Sequence, residues 1–461
     1  MKKEDSLIKL GSTDRFVIGE EIVFSAESNP SLEVKAKALD DIRIRIGTLL
    51  KTDTVSFLLG AGASVDCGGQ LIGSVPLAIE RELQDQGTRQ GRVRRWLKVF
   101  YLAARRAGGG DSVPIGRDAI LERRKELRGN DPSGENPSAL PANFEQVLAQ
   151  LHRWRSALPD KGGRLRIDGS PQLDVTSEDL DACLQYATRA LARACDLPTT
   201  GKEAGLETFT TLLRKLLTRP LNLKRVNLFT LNYDTLVEQA ADAEGVVLLD
   251  GFIGTQRRVF RPESCEQDLY FPAETTEGHV HRFDRVLHLY KLHGSITWVA
   301  SQPAIDNPYG VQSKPFDPQN TEPLLIYPTP AKYGETLGMP YSELFRRFST
   351  ALVRPQSVLF VIGYGFGDEH VNAIIRQALA VPSFTLVVVD PDPRNQFVVK
   401  LREQKDRRVW IAEGKTLGTI SGFVQYLLPD LRDEEVRKKV LATYLALEPA
   451  RSQNEEDSDV S

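Results

Sequence analysis

An apolar run, VSFLL at residues 55–59, ends abruptly in the glycine-rich stretch GAGAS at residues 60–64. The run predicts a short buried strand, and the glycines predict a sharp turn at its end. Because Gly60 and Gly62 have no Cβ, a ligand can approach this turn closely, as phosphates approach the N–H groups of many strand–turn–helix sites. The dinucleotide fingerprint would need a third glycine where the chain has Val65, so a tight turn without a ligand stays an equal alternative.

Further apolar runs predict more strands, separated by helical patterns such as those at 208–219 and 341–353. The runs are VNLFTLNY (226–233), VVLLDGF (246–252), LHLYKLHG (287–294), SVLFVIGYGF (357–366), TLVVVD (385–390) and RVWIAEG (408–414). Several are apolar on both faces, as strands of a buried parallel sheet are. The alternation predicts an α/β fold with a Rossmann-like, doubly wound parallel sheet.

Residues 76–207 interrupt this alternation, and their helical patterns predict a mostly helical insertion. Its segment RVRRWLKVFYLAARR places apolar residues at i, i+3, i+4 and i+7, which predicts one buried helix face. We expect an N-terminal extension at 1–34, a main domain at 35–430 that contains the insertion, and a C-terminal helix with an acidic, disordered tail at 431–461.

The net charge of −3 neither favours nor excludes nucleic acid as a partner. Residues 89–128 are locally basic, with twelve Lys and Arg against four Asp and Glu. A solvated helical face is the simplest explanation, while contact with nucleic acid or with an acidic protein is possible but not favoured.

The sequence has neither a secretory signal nor an apolar run of membrane-spanning length, and its cysteines form no CxxC pair, so we expect a cytoplasmic protein.

Three more motifs follow predicted strands, at the carboxyl edge where an open α/β sheet binds its ligands. LNYD (231–234) supplies Asn232 and Asp234; KLHGS (291–295) supplies His293, Gly294 and Ser295; GYGFGDEH (363–370) supplies Gly363, Tyr364, Asp368 and His370. Each polar residue also has a structural explanation. Asn232, Asp234 and Asp368 could cap helices, and His293 could be a hydrogen-bonded core histidine.

The four motifs, in this order, resemble those of sirtuin-like domains, and specifically those of the bacterial sirtuin-like NAD hydrolases (NADases) of anti-phage defence. NFEQVL at 143–148 also resembles a recurring element of that family, and the resemblance spans about residues 50–415 outside the insertion. The sequence lacks the four-cysteine zinc module of sirtuin deacylases. We therefore expect neither a zinc ion nor a groove for acyl-lysine peptides.

The resemblance implies an NAD⁺ glycohydrolase at 35–430 that cleaves the nicotinamide–ribose bond and depletes NAD in abortive infection. It implies catalytic roles for Asn232 and His293, with Asp234 on the nicotinamide carboxamide. Asn232 can orient a ribose hydroxyl or the attacking water, and His293 can take a proton near neutral pH. The residues expected to bind the rest of NAD are Gly60, Ala61, Gly62, Ser64, Gly294, Ser295, Gly363, Tyr364, Asp368, His370 and, at the adenosine ribose, Asp390.

The sequence leaves open how the activity is controlled and whether the protein is an enzyme at all. In the family, assembly, a nucleotide signal, or a partner such as a HerA-like ATPase or an Argonaute-type protein controls the toxic activity, so we expect a homo-oligomer or a partner. The alternative is a non-catalytic module that binds NAD or ADP-ribose and signals to a partner protein. It would need neither Asn232 nor His293.

A metal site is a further alternative, because four of the six histidines, at 279, 281, 288 and 293, fall within fifteen positions. A regular strand would point His288 and His293 to opposite faces, and no cysteine or carboxylate lies at ligand spacing. We expect no metal, which also weighs against a nuclease.

Overall fold

Nine strands form one sheet in the computed structural model of the protein, which describes residues 10–69, 75–87, 93–127, 140, 142, 144–160, 162–167, 173–197, 203–271, 281–318, 323–325 and 338–447. The strands of the chain, numbered in order, are β1 (Arg15–Ile18), β2 (Glu21–Ser25), β3 (Thr54–Leu59), β4 (Arg164–Ile167), β5 (Leu173–Thr176), β6 (Asn227–Thr230), β7 (Val247–Leu249), β8 (Phe252–Ile253), β9 (Arg258–Phe260), β10 (Tyr270–Phe271), β11 (His281–Arg282), β12 (Val286–Lys291), β13 (Gly294–Ala300), β14 (Val311–Ser313), β15 (Pro323–Leu325), β16 (Ser357–Ile362), β17 (Thr385–Asp390) and β18 (Val409–Glu413).

The main sheet has the order β2-β1-β18-β17-β16-β3-β6-β12-β7. The strands from β18 to β7 are parallel, while β1 and β2 form an antiparallel hairpin against β18. Without the edge strand β7, the parallel part has the order 3-2-1-4-5-6 known from dinucleotide-binding folds. The predicted α/β, doubly wound fold is therefore confirmed, and every predicted apolar run contains one of these parallel strands.

Helices lie on both faces of the sheet and fill much of the chain between β3 and β6. They are α1 (Leu32–Leu49), α2 (Val75–Gly87), α3 (Val93–Ala104), α4 (Arg117–Leu127), α5 (Phe144–Ser156), α6 (Ser177–Cys195), α7 (Glu203–Leu216), α8 (Leu236–Glu244), α9 (Tyr341–Leu352), α10 (Glu369–Leu379), α11 (Gln396–Glu403), α12 (Ile420–Gly422) and α13 (Glu434–Leu447). Shorter helical turns are the 3₁₀ segments Ala61–Cys67, Gly110–Ser112 and Pro262–Glu266 and the π turns Arg105–Gly109 and Phe423–Leu427.

Neighbouring residues of β3 point into two different apolar cores. Phe57 belongs to a core that includes residues of α1, α7 and α8, whereas Leu58 belongs to a core that includes residues of α9, α10 and α11. Because successive side chains of a strand face opposite sides, a fully buried strand such as β3 must be covered by helices on both faces.

A third apolar core draws on residues 79–191 together with Leu325. Helix α3 lies at its centre. Leu97 and Phe100 are buried as the helical periodicity predicts, but Val99 and Ala103 are buried as well. The predicted face of α3 is therefore buried, and the burial extends beyond it to most sides of the helix.

Several antiparallel elements were not predicted. β15, β13, β14, β9 and β8 form a second sheet in that order, and β4–β5 and β10–β11 form two small hairpins. β1 and β2 lie within the predicted N-terminal extension yet join the main sheet. Residues 448–461 of the predicted tail, His279 and most of the loop at 129–141 lie outside the described residues.

Candidate functional site

A cavity of about 650 Å³ lies at the carboxyl edge of the parallel strands. Register explains its position, because Leu59, Thr230 and Ile362 end three neighbouring strands at the same level. The cavity is lined by these predicted site residues: Gly60, Ala61, Gly62, Ser64, Asn232, Asp234, His293, Gly363, Tyr364, Asp368 and Asp390. Its size falls within the usual range for small-molecule sites, at the switch point where a doubly wound sheet binds ligands.

The glycine turn after β3 packs directly on the glycine turn after β16. The N–H groups of Gly60 and Gly62 donate to the carbonyl oxygens of Ile362 (2.9 Å) and Gly363 (2.8 Å). A Cβ on Gly62 would lie 2.8 Å from Gly363 Cα, and a Cβ on Gly60 would lie 2.6 Å from Tyr364 Cα. Gly363 has a φ of +65°, in the left-handed region that favours glycine. These glycines allow two turns to meet, and the N–H groups of Gly60 and Gly62 are already used within the protein rather than presented to a pyrophosphate.

Asn232, Ser64 and Asp234 form a hydrogen-bond chain across the base of the cavity. Asn232 Nδ2 donates to the carbonyl oxygen of Gly60 (3.0 Å) and to Ser64 Oγ (2.9 Å). Ser64 Oγ in turn donates to Asp234 Oδ2 (2.7 Å). Because a carbonyl oxygen can only accept, this chain fixes the orientation of the Asn232 amide. Asn232 Oδ1 accepts no hydrogen bond from the described residues and is the acceptor that remains for a ligand.

Asp234 and Ser64 are held more firmly by the protein than the sequence suggested. The second oxygen of Asp234, Oδ1, accepts from the N–H of Leu236 (3.1 Å) at the start of α8. Asp234 thus supports the start of α8 from the position before its N-cap residue, Thr235. Ser64, which was expected at the pyrophosphate, has its buried hydroxyl engaged by both neighbours.

A buried lysine, Lys291, holds the main chain at Asp234 in position. Lys291, the last residue of β12, donates from Nζ to Glu238 Oε1 (2.8 Å) and to the backbone oxygen of Asp234. Burial raises the pKa of Glu238, and the ammonium group of Lys291 opposes that shift. The ion pair therefore fixes the main chain at Asp234 from the side away from the cavity.

His293 and Asp368 form a buried pair on the opposite wall. His293 Nε2 lies 3.1 Å from Asp368 Oδ2, and the two side chains are 8% and 7% exposed. Asp368 is also the N-cap of α10, since its Oδ1 accepts from the N–H groups of His370 (3.0 Å) and Val371 (3.5 Å). One carboxylate thus caps a helix with one oxygen and faces the imidazole with the other. The capping role considered for Asp368 is thus present, and its role in ligand binding stays a prediction.

Tyr364 anchors the turn that carries Asp368. Its hydroxyl lies 3.0 Å from both the backbone N and the backbone O of Asp368 and 3.1 Å from Asn372 Oδ1. Asn372 Nδ2 donates to the carbonyl oxygen of Phe366 (2.9 Å). These buried bonds fix the turn from Gly363 to Asp368 in position.

Three predicted binding residues are not among the lining residues of the cavity. Gly294 and Ser295 begin β13, where Gly294 has a φ of +92° and the Ser295 hydroxyl bonds with Thr297 Oγ1 (3.0 Å). The His370 ring stacks on Phe345, with centroids 4.4 Å apart. The side chains of Ser295 and His370 are thus engaged in local contacts, and the roles predicted for Gly294, Ser295 and His370 in ligand binding stay predictions.

Asp390, the last residue of β17, also lines the cavity. Burial raises its pKa, and the nearby charges of Asp392 and Glu413 act in the same direction. A Cβ on Gly418 would lie 2.5 Å from the Asp390 carbonyl oxygen, so the segment carrying Thr419 and Ile420 packs closely on Asp390 and lines the cavity with it.

One wall of the cavity comes from the helical segment between β3 and β6. Leu191, Ala194 and Cys195 of α6 and the following Leu197 line it. Burial raises the pKa of Cys195 to about 12, so its thiol is protonated and is not a nucleophile. Nothing in the sequence singled out these residues, since an apolar helix face has the same pattern whether it packs on a core or on a ligand.

Among the described residues, no group of three His, Cys, Asp or Glu side chains is placed to hold a metal ion, and His279 lies outside them. None of the helices in the described ranges is long and apolar enough to cross a bilayer.

Comparison with curated proteins gives no significant match to the sequence. The model of the SIR2-like domain family matches residues 226–414, from β6 to the end of β18. The matched range contains Asn232, Asp234, His293 and Asp368, whereas the glycine turn at 60–64 and α6 lie before it. Residues 226–414 are thus similar to SIR2-like domains.

Proposed function

We propose that the protein is an NAD⁺ glycohydrolase that cleaves the nicotinamide–ribose bond and releases nicotinamide and ADP-ribose. The observation that carries this proposal is the convergence of the His293–Asp368 pair and the Asn232 acceptor on one cavity of a SIR2-like domain. Hydrolysis needs a positioned water, a firmly held ribose and a base, and these side chains offer groups suited to each task.

Asn232 would position the reacting oxygen. Its two amide hydrogens are used by Gly60 and Ser64, so Oδ1 is the atom left to accept a hydrogen bond. The attacking water and the ribose hydroxyls are donors of the right kind. Asp234 would act through Ser64, by keeping the amide in this orientation, instead of holding the nicotinamide carboxamide.

His293 would take the proton. The water oxygen bonds to the anomeric carbon of the ribose as the bond from that carbon to the pyridinium nitrogen breaks, and its electron pair leaves with neutral nicotinamide. The surplus proton of the water passes to His293 and then to solvent. Asp368 stabilises the imidazolium and orients the ring, as a carboxylate does for a catalytic histidine.

The remaining parts of NAD would lie along the cavity toward Asp390. Its carboxylate follows a parallel strand at the position where dinucleotide-binding folds hold a ribose hydroxyl. A cavity of about 650 Å³ offers room for much of a dinucleotide.

The alternative is a non-catalytic module that binds NAD or ADP-ribose and signals to a partner. The structural hydrogen bonds of Asp234, Ser64 and Asp368 favour it, because these residues have a role in the fold even without catalysis. The proton-accepting pair His293–Asp368 favours the enzyme, since binding alone does not require it.

We also propose that the activity depletes NAD in the cytoplasm during anti-phage defence, controlled by homo-oligomer assembly or by a partner such as a HerA-like ATPase. The support is the resemblance of the four motifs to the defence NADases. Contact with nucleic acid through residues 89–128 stays a less favoured possibility; within that segment Arg123 pairs with the buried Glu80 (2.9 Å), and Arg95 pairs with Asp179 (3.0 Å).

Calorimetry with NAD⁺, together with separation of the products, tests the choice between enzyme and module. The proposal expects nicotinamide and ADP-ribose in equal amounts from the wild-type protein. It expects NAD⁺ binding without product from Asn232→Ala. Tight binding of intact NAD⁺ by the fully activated assembly, with no product under single-turnover conditions, would establish the module instead.

A further inference from the structure

A second cavity, of about 400 Å³, lies at the amino edge of the parallel strands. Thr54 and Asn227, the first residues of β3 and β6, line it together with His288 of β12. The cavity described above lies at the opposite, carboxyl ends of the same strands. The two cavities therefore share no lining residue.

The lining of this amino-edge cavity is rich in cations. They are Lys224, Arg225, Arg282, Arg346, Arg347 and Arg354. Asp268 accepts from Arg225 (2.8 Å) and Arg282 (2.6 Å), Glu266 pairs with Arg347 (2.7 Å), and Glu343 pairs with Arg346 and Arg347 (2.7 Å each).

Six cations thus face three carboxylates, which leaves an excess of three positive charges in this part of the described chain. Lys224 and Arg354 are exposed and form no ion pair with any described residue. Arg225 and Arg347 lie deeper, with side chains 5% and 12% exposed. Exposed cations can attract an anion to the cavity from solution, and the buried cations can then bind it.

Two polar atoms in the same lining lack partners. Thr54 is 2% exposed, and its Oγ1 makes no hydrogen bond with the described residues. The buried Nδ1 of His288 is likewise without a hydrogen bond in the described chain. A buried polar atom left unpaired destabilises the fold, so two of them in one cationic cavity point to a polar ligand.

We propose that the amino-edge cavity binds a small ligand with a chain of phosphate groups, at a site separate from the carboxyl-edge cavity. Guanidinium groups recognise phosphate oxygens through paired hydrogen bonds, and the Thr54 hydroxyl adds a neutral donor. A ligand with three or more negative charges balances the excess of cations. A volume of about 400 Å³ favours a small molecule over a nucleic acid strand.

Calorimetric titration of the full chain with inorganic triphosphate tests the proposal. We expect one triphosphate to bind per chain. ATP, titrated in parallel, separates the two sources of a phosphate chain: tighter binding of ATP identifies a nucleotide, and tighter binding of triphosphate identifies an inorganic polyphosphate. Tighter binding of a short single-stranded DNA than of either compound would contradict a small ligand.

Two variants make the test specific to this cavity. Lys224→Gln with Arg354→Gln removes two exposed cations without breaking an ion pair, and should weaken triphosphate binding about tenfold or more. Thr54→Val should weaken binding while leaving the melting temperature unchanged or higher, because an unpaired hydroxyl is removed.

Matched controls separate the site from general charge. Lys400→Gln with Arg407→Gln removes the same charge from exposed positions outside both cavities, and should leave binding unchanged. Asn232→Ala, in the other cavity, should also bind triphosphate normally. The proposal is overturned if the wild-type protein does not bind triphosphate, if Lys224→Gln with Arg354→Gln binds as the wild type does, or if Asn232→Ala abolishes binding.

Discussion

His293 Nε2 lies 3.1 Å from Asp368 Oδ2, and the same carboxylate caps helix α10 through its other oxygen. The position of the imidazole is thereby tied to the start of a helix, which is one of the more rigid parts of a fold. The pair links the sequence motifs KLHGS and GYGFGDEH, which are about 75 residues apart in the chain.

Asp368→Asn separates the two roles of this residue. Asparagine caps helices as well as aspartate does, so the melting temperature should change little. The amide lacks the charge that stabilises an imidazolium, so the rate of nicotinamide release should fall about 10²-fold or more. Asp368→Ala, the control, should lose the cap as well and destabilise the fold by about 1 kcal/mol. Wild-type activity in Asp368→Asn would leave Asp368 with a capping role only.

Ser64→Ala tests the hydrogen-bond chain that orients Asn232. Loss of the hydroxyl leaves Asp234 Oδ2 without its donor, so we expect a loss of about 1–3 kcal/mol in unfolding free energy. Since Asn232 is then less firmly held, kcat should fall about tenfold with a smaller change in NAD⁺ affinity. Ser295→Ala is the matched control, because that serine is equally buried but does not line the cavity. Equal effects of both variants on kcat would rule out a special role for Ser64.

Gly62→Ala tests the contact between the two glycine turns. Its Cβ would lie 2.8 Å from Gly363 Cα, so the turns must move apart, at a cost of about 1–3 kcal/mol. Gly365→Ala is the control, since a Cβ at Gly365 would meet no atom within 4 Å although this glycine also lines the cavity. Thermal unfolding should show a lower melting temperature for Gly62→Ala alone. If both variants melt as the wild type does, the close packing of the turns is not a constraint.

Much of the parallel sheet could be predicted, because its strands are continuous apolar runs ending in glycine or polar motifs. Asn232, His293 and Asp368 follow such runs, and the sheet brings them to one edge. The second sheet could not be predicted in this way. β8, β9 and β14 are two or three residues long, and their short runs lack a clear alternation.

The glycine turn shows another limit. A glycine required for a close approach has the same appearance in the sequence whether the approaching group is a phosphate or a backbone. In the structure the approaching group is the turn at Gly363. The cavity wall supplied by Leu191 and Cys195 depends on long-range packing, which no local pattern encodes.

The stability of the fold should depend on pH through His288. Burial lowers the pKa of His288 to about 4 from an ordinary value near 6.5. The positive charges of Arg225 and Arg347 also lower this pKa, whereas the negative charge of Asp268 raises it. Above pH 6.5 both the folded and the unfolded chain hold a neutral His288. As the pH falls toward 4, only the unfolded chain takes up the proton, so the free energy of unfolding decreases.

Urea unfolding at pH 7 and pH 5 measures this contribution. We expect the wild-type protein to lose about 2 kcal/mol more than His288→Gln between the two pH values. An equal loss in both proteins would show that His288 titrates normally in the fold.

The most direct measurement is the single-turnover rate of nicotinamide release by His293→Ala, with enzyme in excess over NAD⁺, compared with the wild-type protein. Calorimetry and a melting curve first establish that the variant still binds NAD⁺ and still folds. The account predicts release by the wild-type protein and a rate about 10²–10⁴-fold lower in the variant. Release at the wild-type rate by a folded His293→Ala protein would contradict it.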